Sequence, residues 1–227
     1  MDIIFTVHKP VYYFLSSKYH HKKTVNYWKL KIHKNDTLIP SRFVLRLCCF
    51  DAILINFKNV TYLTFGSNFN LPINHLPASL THLTFGFLFN QSVNHLPTSL
   101  THLTFGEVFN LPVDNLPSSL THLTFGYCFN LTVDKLPTSL THLTFDKYSE
   151  FNQHVNHLPT SLTHLTFDKY SAFNQHVNHL PTSLTHLTFG KKYNQPINSL
   201  PSKLRSIKFH CSYPHKITTN AVIEYYE

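Results

Sequence analysis

Apolar and polar residues alternate over a short segment that recurs at nearly constant spacing through most of the chain. From Leu80 to Phe85, Leu83 and Phe85 alternate with His82 and Thr84, and this period of two predicts a β-strand. The same six residues recur at 100–105, 120–125, 140–145, 162–167 and 184–189, with looser copies at 60–65 and 204–209. A repeat of 20 or 22 residues is typical of a solenoid. We therefore expect stacked turns with Leu and Phe inside and with His and Thr outside.

The remainder of each repeat favours a short limb without a helix. A proline lies three residues before the first strand leucine of every repeat, as Pro77 does before Leu80. Proline cannot donate a backbone hydrogen bond, and it disfavours helix in the residue before it. We expect a mainly β, leucine-rich-repeat-like solenoid with a parallel sheet of about eight strands. Its return limbs should be extended or 3-10, and a small N-terminal segment should be partly helical.

An asparagine follows the strand at a fixed position in every repeat. In leucine-rich repeats, which this spacing resembles, such an asparagine bonds backbone groups at the corner where the chain leaves the strand. Because buried peptide groups need hydrogen-bond partners, we expect a buried, structural asparagine column. The column consists of Asn70, Asn90, Asn110, Asn130, Asn152, Asn174 and Asn194.

Two sequence elements together resemble the FNIP repeat. These are Phe69-Asn70-Leu71-Pro72-Ile73 with its later copies, and the run Leu-Pro-x-Ser-Leu-Thr-His-Leu-Thr-Phe, and they cover about two thirds of the chain. FNIP repeats are a leucine-rich-repeat-like class known mainly from social amoebae and from giant viruses that infect amoebae. The resemblance implies a solenoid and protein binding. The proline is missing at Gln91-Ser92, Leu131-Thr132, Gln153-His154 and Gln175-His176.

The net charge of +8 is concentrated outside the repeats. Residues 1–60 hold ten Lys and Arg against three acids, whereas residues 61–200 hold five against six. We divide the chain into a basic N-terminal segment (1–40), a solenoid with a degenerate first turn (41–210) and a C-terminal tail or cap (211–227).

The N-terminal segment leaves two alternative functions open beside its interpretation as a basic cap. Viral FNIP proteins often carry an F-box before the repeats, and an F-box at residues 1–45 would bind a Skp1-like protein and make the chain a substrate adaptor of a cullin-type ubiquitin ligase. Six lysines between Lys18 and Lys34, with aromatic residues among them, would instead suit nucleic acid or an anionic surface.

The cysteines and the N-terminus predict an intracellular protein, in the host cytoplasm if it is viral. Cys48, Cys49, Cys128 and Cys211 show neither paired metal spacing nor a regular disulfide framework. Asp2 stands where a signal peptide carries positive charge, so we expect neither a signal peptide nor a membrane span.

Histidines occupy one outward strand position in six consecutive turns. A zinc site needs three or four convergent ligands, whereas a parallel column offers two at a time, so we predict no metal and no cofactor. Charged imidazoles about 5 Å apart would repel by about 1 kcal/mol per pair in water, so protonation should occur below the usual pKa of about 6.5. Alternatively, the column merely preserves the ancestral residue. The histidine column consists of His82, His102, His122, His142, His164 and His186.

A second set of histidines lies in the return limb, where it alternates with Asn, Lys and Ser. Such free exchange marks an exposed position. This set consists of His75, His95, His157 and His179.

Repetition argues against an enzyme, because catalysis needs unlike residues brought together. Ser79 and His82 recur six times without an acid to orient the imidazole, so no hydrolase triad is predicted. The five glycines all stand just after a strand, where we expect them to serve the turn.

Positions that vary between turns are better candidates for recognition. They follow the strand and form one edge of the solenoid, here called the rim. Aromatic anchors of the kind common in protein interfaces lie there, and the alternative is that they fold inward as additional core. The rim candidates are Phe87, Tyr127, Tyr148 and Tyr170. Our leading prediction is a non-enzymatic scaffold that binds a protein through the sheet face and the rim.

Overall fold

The computed structural model describes residues 60–74 and 76–227, together with the backbone of two short strands, β1 (Ile3–Thr6) and β2 (Phe43–Arg46), which pair in parallel. The expected helical N-terminal segment, the F-box alternative and the basic run from Lys18 to Lys34 lie outside the described residues. His75, Cys48 and Cys49 lie outside them as well.

Nine short parallel strands form the sheet of the solenoid, in strict chain order. Each strand pairs with the equivalent residues of the next, so that His82 stands opposite His102 and Leu83 opposite Leu103. The sheet therefore has the predicted architecture, with one strand more than the eight expected, because the C-terminal segment adds a last strand outside the repeat. The strands are β3 (Tyr62–Thr64), β4 (His82–Thr84), β5 (His102–Thr104), β6 (His122–Phe125), β7 (His142–Phe145), β8 (His164–Phe167), β9 (His186–Thr188), β10 (Ser206–His210) and β11 (Val222–Tyr226).

The core consists of columns of identical residues, one residue from each turn. Leu83 of β4 and Phe85 directly after it point inward and are 1% and 3% exposed, as the alternating pattern predicts. Phe85 stacks on Phe89 of the same turn with ring centroids 3.6 Å apart, so each turn contributes two facing rings. Complete burial of one such side chain stabilises the fold by about 1.5–3 kcal/mol, which explains why these positions tolerate so little variation.

The return limbs contain turns and extended segments, and no helix occurs in residues 60–74 and 76–227. The carbonyl oxygen of Pro77 accepts a hydrogen bond from the amide of Leu80 at 3.1 Å, which closes the turn that leads into the strand. The equivalent bond recurs before Leu100, Leu120, Leu140, Leu162, Leu184 and Leu204. The proline column thus starts a tight turn, and the limb needs no helix.

Serine and threonine side chains join successive turns by bonds that the sequence did not lead us to expect. The Ser99 hydroxyl donates to the carbonyl oxygen of Leu80 at 2.6 Å, and the Thr101 hydroxyl contacts the carbonyl oxygen of Thr81 at 3.1 Å. Equivalent bonds recur in every turn from Ser79 to Thr185. Partly buried carbonyl groups at the start of the strands thereby gain partners.

The asparagine column lies nearer the surface than expected. Asn110 is exposed and Asn130 is half-buried, so the prediction of burial is wrong. The Asn110 side-chain oxygen accepts a hydrogen bond from the backbone amide of Asn130 at 3.1 Å, and the same bond links each pair of turns from Asn70 to Asn194. The backbone amide of each asparagine faces the preceding turn. The asparagine side chain of that turn can accept its hydrogen bond at the outer surface, so this side chain need not enter the core.

The glycine column is required by close contact between turns and not by an unusual turn conformation. None of the glycines in the described residues has a positive φ. A Cβ atom on Gly106 would lie 1.9 Å from the carbonyl oxygen of Gly86, and one on Gly126 would lie 2.3 Å from that of Gly106. The expected position of these residues is thus confirmed, but the physical reason is steric.

Candidate interaction surface

The six rings of the histidine column stack face to face along the outward side of the sheet. Adjacent ring centroids are 4.0–4.3 Å apart and the rings are 6–14° from parallel. Tyr62 extends the stack at one end, with its ring 4.0 Å from that of His82. The rings are closer than the 5 Å expected from the sequence, and His82 to His164 are half-buried whereas His186, at the end of the column, is exposed.

A threonine beside each histidine fixes the orientation of its ring. In the fourth turn, Thr121 Oγ1 lies 2.9 Å from His122 Nδ1 and 3.1 Å from the carbonyl oxygen of Thr101. The hydroxyl carries one proton and can rotate between these two partners, so it can donate to a neutral ring or accept from a charged one. The Nδ1 atom is therefore bonded within the chain, and Nε2 is the ring nitrogen left for a partner.

The environment of the stack opposes protonation. Partial burial first, and repulsion from stacked neighbours second, lower the pKa of His102, His122 and His164. The same two causes, in the same order, lower the pKa of His142 to about 4. The middle of the column is consequently neutral at pH 7.

The spacing between turns shows that the histidine face is concave. The turn-to-turn distance is 4.0–4.3 Å between histidine rings and 5.2–5.9 Å between the phenylalanine rings just below the sheet, such as Phe85 and Phe105. It reaches 5.9–6.2 Å in the deeper column that contains Phe89 and Phe109. Since successive turns diverge with distance from the histidines, the solenoid bends with this face inside.

The rim has its own ladder of backbone hydrogen bonds. The amide of Leu88 donates to the carbonyl oxygen of Ser67 at 2.8 Å, and the bond recurs from Val108 to Phe87 and from Cys128 to Glu107. The rim is thus an ordered strip that follows the solenoid axis.

The aromatic candidates on the rim do not fold inward. Phe87 and Tyr148 are each 52% exposed, Tyr127 is 38% exposed and Tyr170 is half-buried. In the two longer turns the small residues Ser149 and Ser171 fill the inward position instead. Large apolar side chains held at the surface leave the rim suited to contact another macromolecule.

The two longer turns place a pair of stacked tyrosines on the rim. The rings of Tyr148 and Tyr170 lie 4.8 Å apart and 8° from parallel. Lys147 Nζ lies 5.2 Å from the Tyr148 ring centroid, and Lys169 Nζ lies 5.6 Å from that of Tyr170. A two-residue insertion thus creates a local feature that the regular turns do not have.

The other candidate chemistry is dispersed. His95, His157 and His179 are exposed on the return limb, and no group of three or more potential metal ligands occurs in the described part of the chain. The Ser99 hydroxyl donates to the carbonyl oxygen of Leu80 and not to an imidazole. No helix long and apolar enough to cross a bilayer occurs among the described residues.

Parallel strands stacked in register around columns of Leu and Phe define a leucine-rich-repeat-like β-solenoid. The sequence model of the FNIP Repeat family matches residues 50–88, 89–128, 129–170 and 173–212, and the chain belongs to this family. Among solved structures, the chain is similar to the crystal structure of CroV588, described as a novel circular LRR protein structure, with 43% identity and a TM-score of 0.61. The similarity covers 74% of this chain and 30% of the length of that one. No curated protein matches the chain significantly.

Proposed function

We propose that the protein is a non-enzymatic, intracellular scaffold that binds another protein through its concave histidine face and its rim. The observation that carries this proposal is the row of exposed aromatic side chains, Phe87, Tyr127 and Tyr148, on a strip ordered by backbone hydrogen bonds. Buried aromatic anchors dominate the energy of protein interfaces, and the backbone that carries these side chains is already hydrogen-bonded before binding.

The concave face complements the rim as a second contact surface. Its histidines and threonines are the same in successive turns, so the face supplies area and hydrogen-bonding groups but little discrimination. The rim differs from turn to turn, as with Phe87, Glu107 and Tyr127 at equivalent positions. We infer that the rim determines which partner binds.

The same regularity supports a non-enzymatic role. Each column presents like residues, and the serine hydroxyls that could act as nucleophiles donate to backbone carbonyl oxygens. The intracellular location is supported by Cys128 and Cys211, which are both free thiols.

Affinity capture with matched baits tests the proposal. We compare the unmodified chain, a rim variant (Phe87→Ala with Tyr127→Ala), and a return-limb control (His95→Asn with His179→Asn). All the changed side chains are exposed, so each bait should fold, which circular dichroism checks. The proposal predicts a partner that both the unmodified chain and the control retain and the rim variant loses. Equal recovery of every captured protein by the rim variant would refute it.

A further inference from the structure

We propose that the longer turns bind an acidic segment of the protein partner. The lysine-tyrosine cluster that they form consists of Lys147, Tyr148, Lys169 and Tyr170, with Lys191 and Lys192 of the next turn beside it. This inference rests on the proposed function, because it assigns one end of the rim to one chemical feature of the partner.

The first observation is the position of the ammonium groups. Lys147 Nζ lies 5.7 Å from the Tyr170 ring centroid and Lys169 Nζ lies 5.6 Å from it, so two cations share one aromatic ring. The two ammonium groups carry like charges and repel each other. A carboxylate bound between them would attract both and so offset this repulsion. The stacked tyrosines thus lie beside both ammonium groups, where such an anion would bind.

The nearby carboxylates form no direct ion pair with these lysines in the described part of the chain. Asp146 Oδ1 accepts a hydrogen bond from the Lys147 backbone amide at 2.7 Å, and Asp168 Oδ1 accepts one from the backbone amide of Lys169. Both aspartates therefore stabilise their turns. In residues 60–74 and 76–227 the ion pairs are Lys135 with Asp114 and Lys208 with Glu224, and the cluster takes part in neither.

Backbone strain is a second, independent observation. Tyr148 has a φ of 66°, and it alone among the non-glycine residues of the described chain is in the left-handed region. An aromatic side chain rarely adopts this conformation without compensation. Its ring is 52% exposed, so core packing does not compensate for the strain. In this conformation the Tyr148 ring stacks on the Tyr170 ring at the surface of the rim.

The chemistry of the rest of the rim favours a polypeptide over a nucleic acid. Phe87 and Leu88, toward the far end, are exposed and apolar, Glu107 follows in the next turn, and Glu150 lies in the same turn as Lys147. A polyphosphate chain running along the rim would meet these glutamates, whereas a polypeptide can place apolar, basic and acidic residues in turn. The order of these chemical groups thus suits a partner segment whose acidic residues contact the lysine-tyrosine cluster.

Fluorescence anisotropy of a labelled oligoglutamate peptide with the full chain tests the inference. We expect binding that weakens as salt increases, because the contacts are exposed charge pairs. Lys147→Ala with Lys169→Ala should weaken binding by about tenfold or more, whereas the control Lys203→Ala with Lys216→Ala should change it by less than about twofold. Both pairs remove two lysines, so the net charge is matched.

Tyr148→Gly separates the ring from the lysines. Glycine accepts the positive φ, so this variant keeps the turn and both ammonium groups while it removes the ring. We expect it to fold as the unmodified chain does by circular dichroism and to bind oligoglutamate several-fold more weakly. Unchanged binding would overturn the assignment of the tyrosine pair to the site.

Three other results would overturn the inference. These are equal losses in the cluster variant and its lysine control, tighter binding of oligothymidylate than of oligoglutamate, and no salt-sensitive binding of oligoglutamate. The scaffold proposal fails separately, when the Phe87 and Tyr127 variant captures the same proteins as the unmodified chain. Loss of a partner by the Phe87 and Tyr127 variant, together with no binding of oligoglutamate, would therefore refute only the acidic-segment inference.

Discussion

Lowering the pH from 7 to 4 should destabilise the protein through its histidine column. Four of the six rings have a lowered pKa, and that of His142 is about 4. The folded chain therefore binds fewer protons than the unfolded chain, whose histidines titrate near 6.5. The stability that the lowered histidine pKa values contribute is fully present above about pH 6.5, and it is lost as the pH falls toward 4.

The magnitude follows from the ring spacing. Six charged rings would form five adjacent pairs with centroids 4.0–4.3 Å apart. Each pair repels by about 1 kcal/mol in water, the appropriate dielectric for half-exposed side chains. A fully charged column would thus cost about 5 kcal/mol, a large part of the stability of a typical domain. Alternate rings can charge first without adjacent contacts, so the loss should steepen as the pH approaches 4.

Urea unfolding followed by circular dichroism between pH 4 and pH 8 measures this dependence. A variant with His102→Asn, His142→Asn and His186→Asn keeps three rings that no longer touch one another. It should lose less stability on acidification than the unmodified chain, by about 2–3 kcal/mol at pH 4. The control His95→Asn, His157→Asn and His179→Asn removes three exposed imidazoles outside the stack, and its pH profile should match that of the unmodified chain.

An NMR titration of the histidine ring protons provides the residue-level check. The stacked geometry predicts midpoints below 6.5 in the middle of the column, with that of His142 lowest. Six independent and unshifted titrations, or identical pH profiles for the stack variant and its control, would refute the reasoning.

Three further substitutions test the packing of the turns, each by thermal or urea unfolding. Gly106→Ala should destabilise by about 1–3 kcal/mol or more, because its methyl group would meet the Gly86 carbonyl oxygen, and unchanged stability would show that the turns are not in close contact. Phe129→Ala should cost about 3–5 kcal/mol and the exposed Phe87→Ala less than about 0.5 kcal/mol, whereas similar costs would place both rings in one environment. Ser139→Ala should cost about 1 kcal/mol through its lost bond to the Leu120 carbonyl oxygen, and a neutral effect would mean that this bond is unimportant.

Which strand side chains face the core and which face outward could be predicted from the sequence, because the alternation of apolar and polar residues allows only one arrangement. With Leu83 and Phe85 in the core, His82 must face outward, and stacking in register then makes the histidine column unavoidable. The same reasoning failed for the asparagines. An invariant position shows that a side chain is needed, but it does not show from which side of the backbone the side chain forms its bond.

Other features depend on geometry that a repeated sequence does not encode in an obvious way. The recurrence of glycine at the position of Gly106 could be seen in the sequence, but its contact with Gly86 depends on how closely adjacent turns approach. Curvature results from the tilt between turns, and it becomes visible only when ring spacings are compared across columns. The left-handed φ of Tyr148 could not be predicted from the two-residue insertion, because Tyr170 follows the same insertion without it. The recurrence of serine at the position of Ser99 was the sequence signal for the hydroxyl ladder.

Disulfide trapping tests most directly whether the turns stack in register with the histidine column facing outward. The native cysteines are first replaced by serine, and His122→Cys with His142→Cys then places thiols at paired positions of adjacent strands. In the control, His102→Cys with His142→Cys places them two strands apart, beyond the reach of a disulfide. The account predicts rapid oxidation of the adjacent pair in the folded protein and slow oxidation of the control. Equal rates for the two pairs, or faster oxidation of the control, would contradict it.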